Sequence, residues 1–64
     1  MKNKVEELRK QNQLTQEQLA EKLHVSRQTI HSIESHKYLP SITLAFKIAR
    51  LFNLSVEDIF EYDE

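Results

Sequence analysis

Apolar residues recur at intervals of three and four along most of this chain, the spacing of an α-helix with one buried face. No alternating, strand-like run is long enough to compete. Five helices are expected. The first covers about residues 3–12 and carries Val5, Leu8 and Asn12 on one stripe. The second, about 16–23, turns Leu19, Ala20 and Leu23 inward. The third, about 27–35, is anchored by Ile30 and Ile33. The fourth, about 42–52, repeats Leu44, Ala45, Ile48, Ala49 and Phe52. A short fifth helix, about 56–61, follows.

Polar residues between these runs mark where helices start and stop. Thr15 and Gln18 have the spacing of a capping box. Ser26, Ser41 and Ser55 each stand one residue before an expected helix, where a hydroxyl can accept from an unpaired peptide N–H. Asp58 falls at the favourable third position of the last helix. The loop over residues 35–41 is broken by Pro40. Glycine is absent, so left-handed corners must fall to other residues. His24, His36 and Asn53 are the expected ones, each costing up to about 1 kcal/mol relative to glycine.

Composition narrows the picture further. Sixty-four residues suit one domain, residues 1–64, with a small core. Without cysteine there is no disulfide and no thiolate metal site. No apolar run approaches the roughly 20 residues of a membrane span, and the N-terminus carries no secretory signal. A cytoplasmic protein without a membrane partner is the expectation. The formal net charge is −1, but it is unevenly spread. Residues 1–56 hold all nine Lys and Arg against five acids, for a net +4. Glu57, Asp58, Glu61, Asp63 and Glu64 leave residues 57–64 at −5. A basic body with an acidic end suits a polyanionic partner met by the body.

Residues 15–34 read as two short helices joined by a tight turn. With Ile30 and Ile33 buried, the third helix presents Arg27, Gln28, His31 and Ser32 outward. Those types suit base edges in the major groove of double-stranded DNA. Arg27 can give two hydrogen bonds to guanine, and Gln28 can pair with adenine in the same bidentate way. Ser26 and Thr29 are short and suit phosphate contact or helix capping. His31 can touch a base or border the groove. Lys37 and Tyr38, just past this helix, can reach flanking phosphates.

These residues resemble a known family. Gln16, Ala20, Val25, Ser26, Ile30, Ile33 and Glu34 are similar to the helix-turn-helix pattern of the phage repressor and Cro family. Lys37 to Ser41, Leu44 to Ala49 and Phe52 to Phe60 continue the same register, so the resemblance covers about residues 4–61. The chain looks most like short stand-alone regulators of the cytolysin-repressor type. The resemblance implies an all-α, five-helix lambda-repressor-like fold. It implies groove-facing roles for Ser26, Arg27, Gln28 and Ser32, and phosphate contact by Gln16 at a helix N-terminus. It also implies an internal ion pair between Arg9 and Glu34, and a minimal β-ribbon between Met1-Lys2-Asn3 and Glu61-Tyr62-Asp63. Three positions depart from the pattern. His24 stands where the family often has glycine, Ser35-His36 replaces the usual Asn-Gly, and Leu39 takes a position often held by asparagine.

Other chemistries find little support. His24 and His31 are seven apart across a turn, and His31 and His36 five apart, neither being the spacing of a zinc-binding helix face. A glycine-free chain has no phosphate-cradling loop. Neither an enzyme, a metal nor a cofactor is expected. An antitoxin-like protein-interaction module is the alternative, but the polar outer face of the third helix favours DNA. One recognition helix reads few base pairs, so a homodimer on a pseudo-palindromic operator is expected. The expected dimer surface is Leu51, Leu54, Val56, Ile59, Phe60 and Tyr62. The reading is a transcription regulator, a repressor. The absence of a pocket-bearing second domain argues against a small-molecule effector.

Overall fold

The computed structural model describes residues 2–61. Its elements run β1 (Lys2–Asn3), α1 (Val5–Gln11), α2 (Gln16–Leu23), α3 (Arg27–Glu34), α4 (Ile42–Leu51), α5 (Val56–Ile59) and β2 (Phe60–Glu61). Four of the five helices start where the sequence offers a side-chain oxygen. Thr15 Oγ1 accepts from Gln18 N at 3.0 Å while Gln18 Oε1 accepts from Thr15 N at 2.9 Å. Ser26 and Ser41 accept from Thr29 N and Leu44 N. Ser55 and Asp58 form a second reciprocal box. The exception is α1, where Lys4 offers no cap and Asn3 Oδ1 accepts from Val5 N at 3.1 Å.

Four helices end in the same way. After α1, α2, α3 and α4 the chain turns through a left-handed residue, Gln13, His24, His36 and Asn53, with φ of 58°, 60°, 65° and 59°. Each corner carries the paired hydrogen bonds of a Schellman motif. At α3 these are Lys37 N to the Ser32 carbonyl at 3.0 Å and His36 N to the Ile33 carbonyl at 3.1 Å. At α1, Leu14 N and Gln13 N donate to the Arg9 and Lys10 carbonyls, both at 3.0 Å. Three of these corners fall where the sequence puts them. Gln13 is the unexpected one, because glutamine carries no particular tolerance for positive φ.

Every helix sends at least one side chain to a single core. Val5, Leu19, Ile30, Ile33, Ile48 and Ile59 are fully buried, and Leu8, Leu14, Val25, Phe52 and Val56 pack around them. At about 1.5–3 kcal/mol for each large side chain, this burial opposes the ordering entropy of the chain.

The two ends depart from the expected pattern. α1 begins at Val5 rather than near residue 3, because Lys2 and Asn3 pair antiparallel with Glu61 and Phe60. Lys4 N also donates to the Ile59 carbonyl at 2.9 Å. α5 stops at Ile59 for the same reason, since residues 60–61 are drawn out into β2. The ribbon exists, with Lys2, Asn3 and Glu61 in it, while Met1, Tyr62 and Asp63 lie outside the described residues. Asn12 is not on the buried stripe of α1 and is exposed, its amide donating to the Leu8 carbonyl.

Candidate nucleic-acid interface

The three residues His24-Val25-Ser26 separate α2 from α3, and half-buried Val25 packs the corner against the core. Leu19, Ala20 and Leu23 of α2 and Ile30 and Ile33 of α3 are all buried, which fixes which side of α3 faces out. Arg27, Gln28 and His31 occupy that side, all exposed, and together line an open hollow. Ser32 is half-buried, and its carbonyl accepts from Lys37 N, Tyr38 N and Ser35 Oγ. The loop carrying Lys37 and Tyr38 is thereby folded back onto the end of α3, with both side chains exposed.

Three residues expected to contact phosphate are partly committed inside the protein. Ser26 Oγ caps α3 and lies 2.9 Å from Thr29 Oγ1, so both hydroxyls serve the helix start. Gln16 Nε2 donates to Glu34 Oε1 at 3.0 Å. Glu34 is buried at the far end of α3 and also receives Arg9 Nε at 2.7 Å and Arg9 Nη2 at 3.3 Å. Arg9 Nη1 donates to the Leu14 carbonyl at 2.8 Å. The hydrogen bond from Arg9 to Glu34 holds its guanidinium above the ordinary arginine pKa, against desolvation that lowers it. The ion pair is therefore present, and Gln16 is a third member that spacing alone did not reveal. The network joins α1, the start of α2 and the end of α3, fixing the tilt of the outward face.

Charge follows the expected asymmetry with one refinement. Lys2 and Lys4 share a hollow with Glu57, Asp58 and Glu61, so two of the cations lie beside the acidic end. Asp58 lies below the ordinary aspartate pKa, chiefly through the Ser55 backbone N–H and then its hydroxyl. Among the described residues no three His, Asp or Glu side chains gather as a metal site would need, and no helix is long and apolar enough to cross a membrane.

The expected dimer surface needs revision. Leu51 and Leu54 are at the surface and Val56 is half-buried, but Ile59 and Phe60 point into the protein's own core. The ribbon pulls them inward by ending α5 early. Tyr62 lies outside the described residues. The larger exposed apolar side chains lie elsewhere: Ile42 at 75%, Leu39 at 65% and Phe46 at 52% exposure. Leu39 and Ile42 rim an apolar hollow floored by Pro40, Ala45, Val56 and Phe60. Ile42 and Phe46 are one turn apart on α4, but the sequence signal was masked by that helix's stronger inward stripe.

A helix-turn-helix family model matches residues 5–59. An uncharacterised HTH-type transcriptional regulator of Methanocaldococcus jannaschii is 58% identical over 64 residues, which is all of this chain and 97% of that protein. One from Bacillus subtilis, YgzD, is 47% identical over the same length and 97% of its own. The HTH-type transcriptional activator BcrR of Enterococcus faecalis is 38% identical over 61 residues, 95% of this chain but 30% of that larger protein.

Proposed function

This chain belongs to the helix-turn-helix family of the phage repressor and Cro type, and from that premise we propose that it is a transcription regulator reading double-stranded DNA by sequence. The observation carrying the proposal is the outward face of α3, where Arg27, Gln28 and His31 are exposed on a helix locked inward by Ile30 and Ile33. Arg27 and Gln28 read base edges, and His31 and Ser32 border them. Lys37 and Tyr38 hold the flanking phosphates. Ser26 and Thr29 act mainly by ordering the start of α3, Gln16 ties the start of α2 to Glu34, and phosphate is met at these helix starts by first-turn peptide N–H groups.

The working unit is a homodimer. A single recognition helix spans few base pairs, whereas two related by a two-fold axis read half-sites about 34 Å apart. Leu39 and Ile42 beside an apolar hollow, with exposed Phe46 one turn further along α4, give both projections and a recess, which an isologous contact between two copies requires. Occupying an operator that overlaps a promoter excludes polymerase, so the proposed effect is repression.

Selection of bound duplexes from a random pool tests this reading. A two-fold motif with salt-sensitive binding is the expected result. Recovery of no preferred sequence, with binding to none of the duplexes at low salt, overturns it in favour of a protein-interaction module.

A further inference from the structure

We propose that Asn3 is a positioning residue for DNA reading, tying the recognition helix to the ribbon that joins the chain's two ends. The inference rests on the DNA-reading role of α3. One side chain at position 3 makes two connections. Its Oδ1 accepts from Val5 N, closing an Asx-turn that starts α1. Its Nδ2 reaches thirty residues along the chain and donates to the Ile33 carbonyl at 3.0 Å. The same nitrogen lies 3.4 Å from His36 Nδ1, on the left-handed corner that ends α3.

The position of this bond gives it consequence. The Ile33 carbonyl belongs to the last turn of α3, where carbonyls have no partner within the helix. It already accepts from His36 N, so Asn3 adds a second donor to the corner that aims the next residues. Those residues are Lys37 and Tyr38, which share a surface hollow with Asn3, His36 and Leu39. Asn3 itself is held in place because its backbone pairs with Phe60, a core residue. The Arg9, Gln16 and Glu34 network fixes the same helix from the side of α1 and α2. With Asn3 it is held from two directions, and rotation about its axis is restrained.

Asn3→Ser separates the two connections. Serine can still close the turn onto Val5 N, more weakly, but is too short to reach Ile33. Asn3→Asp keeps the accepting oxygen and loses the donor. The probes are the duplex selected from the random pool and a scrambled duplex of equal length. Both variants should lower the ratio of selected to scrambled affinity about five-fold, the worth of one hydrogen bond. Amide resonances of His36 and Lys37 should shift in both variants, whether or not DNA is present. An unchanged affinity ratio with unmoved resonances overturns the proposal, whatever happens to the melting temperature. Binding of neither duplex by the parent protein removes the DNA reading, and this inference with it. A parent that discriminates beside variants that discriminate equally removes this inference alone.

Discussion

Arg9 and Glu34 meet through two hydrogen bonds, 2.7 and 3.3 Å long, with their side chains only 11% and 3% exposed. A carboxylate this buried depends on its partners, because an unpaired charge held out of water is costly. Arg9→Met should therefore lower the unfolding free energy by about 3–5 kcal/mol in urea denaturation. The double variant Arg9→Met with Glu34→Leu should recover most of that loss, since paired apolar groups remove the stranded charge. A double variant as unstable as the single one would mean that the pair holds more than its own charges.

The left-handed corner at Gln13 gives a second prediction. A side chain with a Cβ is crowded at φ of 58°, and glycine relieves this. Gln13→Gly should raise stability by about 0.5–1 kcal/mol in thermal melts. Gln13→Val should lower it, because β-branching worsens the crowding. His24 and Asn53 should gain less from glycine, asparagine least of all.

Acid weakens the start of α5. Asp58 has a folded pKa below its ordinary 3.8, caused first by the Ser55 backbone N–H. A carboxylate depressed on folding contributes stability at neutral pH and loses it as pH falls through the folded pKa. Urea midpoints of the parent should drop as pH falls below the ordinary carboxylate range. Ser55→Ala should flatten that part of the curve, having removed one of the bonds that favour the ionised form.

Arg27 and Lys37 should fail differently on DNA. Arg27→Ala or Gln28→Ala should cost about 1–3 kcal/mol at one base position and relax preference there. Lys37→Ala should weaken all duplexes alike and lower the salt slope by about one. Titrations on selected and scrambled duplexes at several salt concentrations separate the two. Equal losses on both duplexes for every variant would refute this division.

Phe46 is the test of assembly. Phe46→Lys puts a charge on the exposed apolar face of α4 without disturbing the core, since the ring is 52% exposed. Sedimentation should then show a monomer, with DNA binding weakened and the single-module fold intact. A variant that sediments as the parent does would move the contact to Leu51 and Leu54.

Much of this was legible in the residue pattern. Four serine or threonine caps and the inward stripes of α2, α3 and α4 place those helices to within a residue. Local chemistry decides them: a hydroxyl before a run, and apolar positions three and four apart. The ends were harder to read, because pairing of Lys2–Asn3 with Phe60–Glu61 is non-local and overrides helix propensity at both. That pairing turned Ile59 and Phe60 inward, away from the expected dimer surface. Gln13 was missed because its corner is imposed by the helix on one side and the capping box on the other. The family resemblance implies a phosphate contact for Gln16, but its amide nitrogen is occupied by Glu34, whose burial no spacing announces.

The short ribbon has one more consequence. A two-stranded pair two residues long has no independent stability, and it closes a loop nearly as long as the described chain. Warming should unzip it by local fraying while the isoleucine-rich interior still holds, so its amides exchange with solvent earlier than those of α2 or α4. The molecule then has two thermal thresholds, one for the seam between its ends and a higher one for the helices. Asn3 sits in that seam, so under the positioning role proposed for it selective DNA binding should fall away at the lower threshold, before the helices melt.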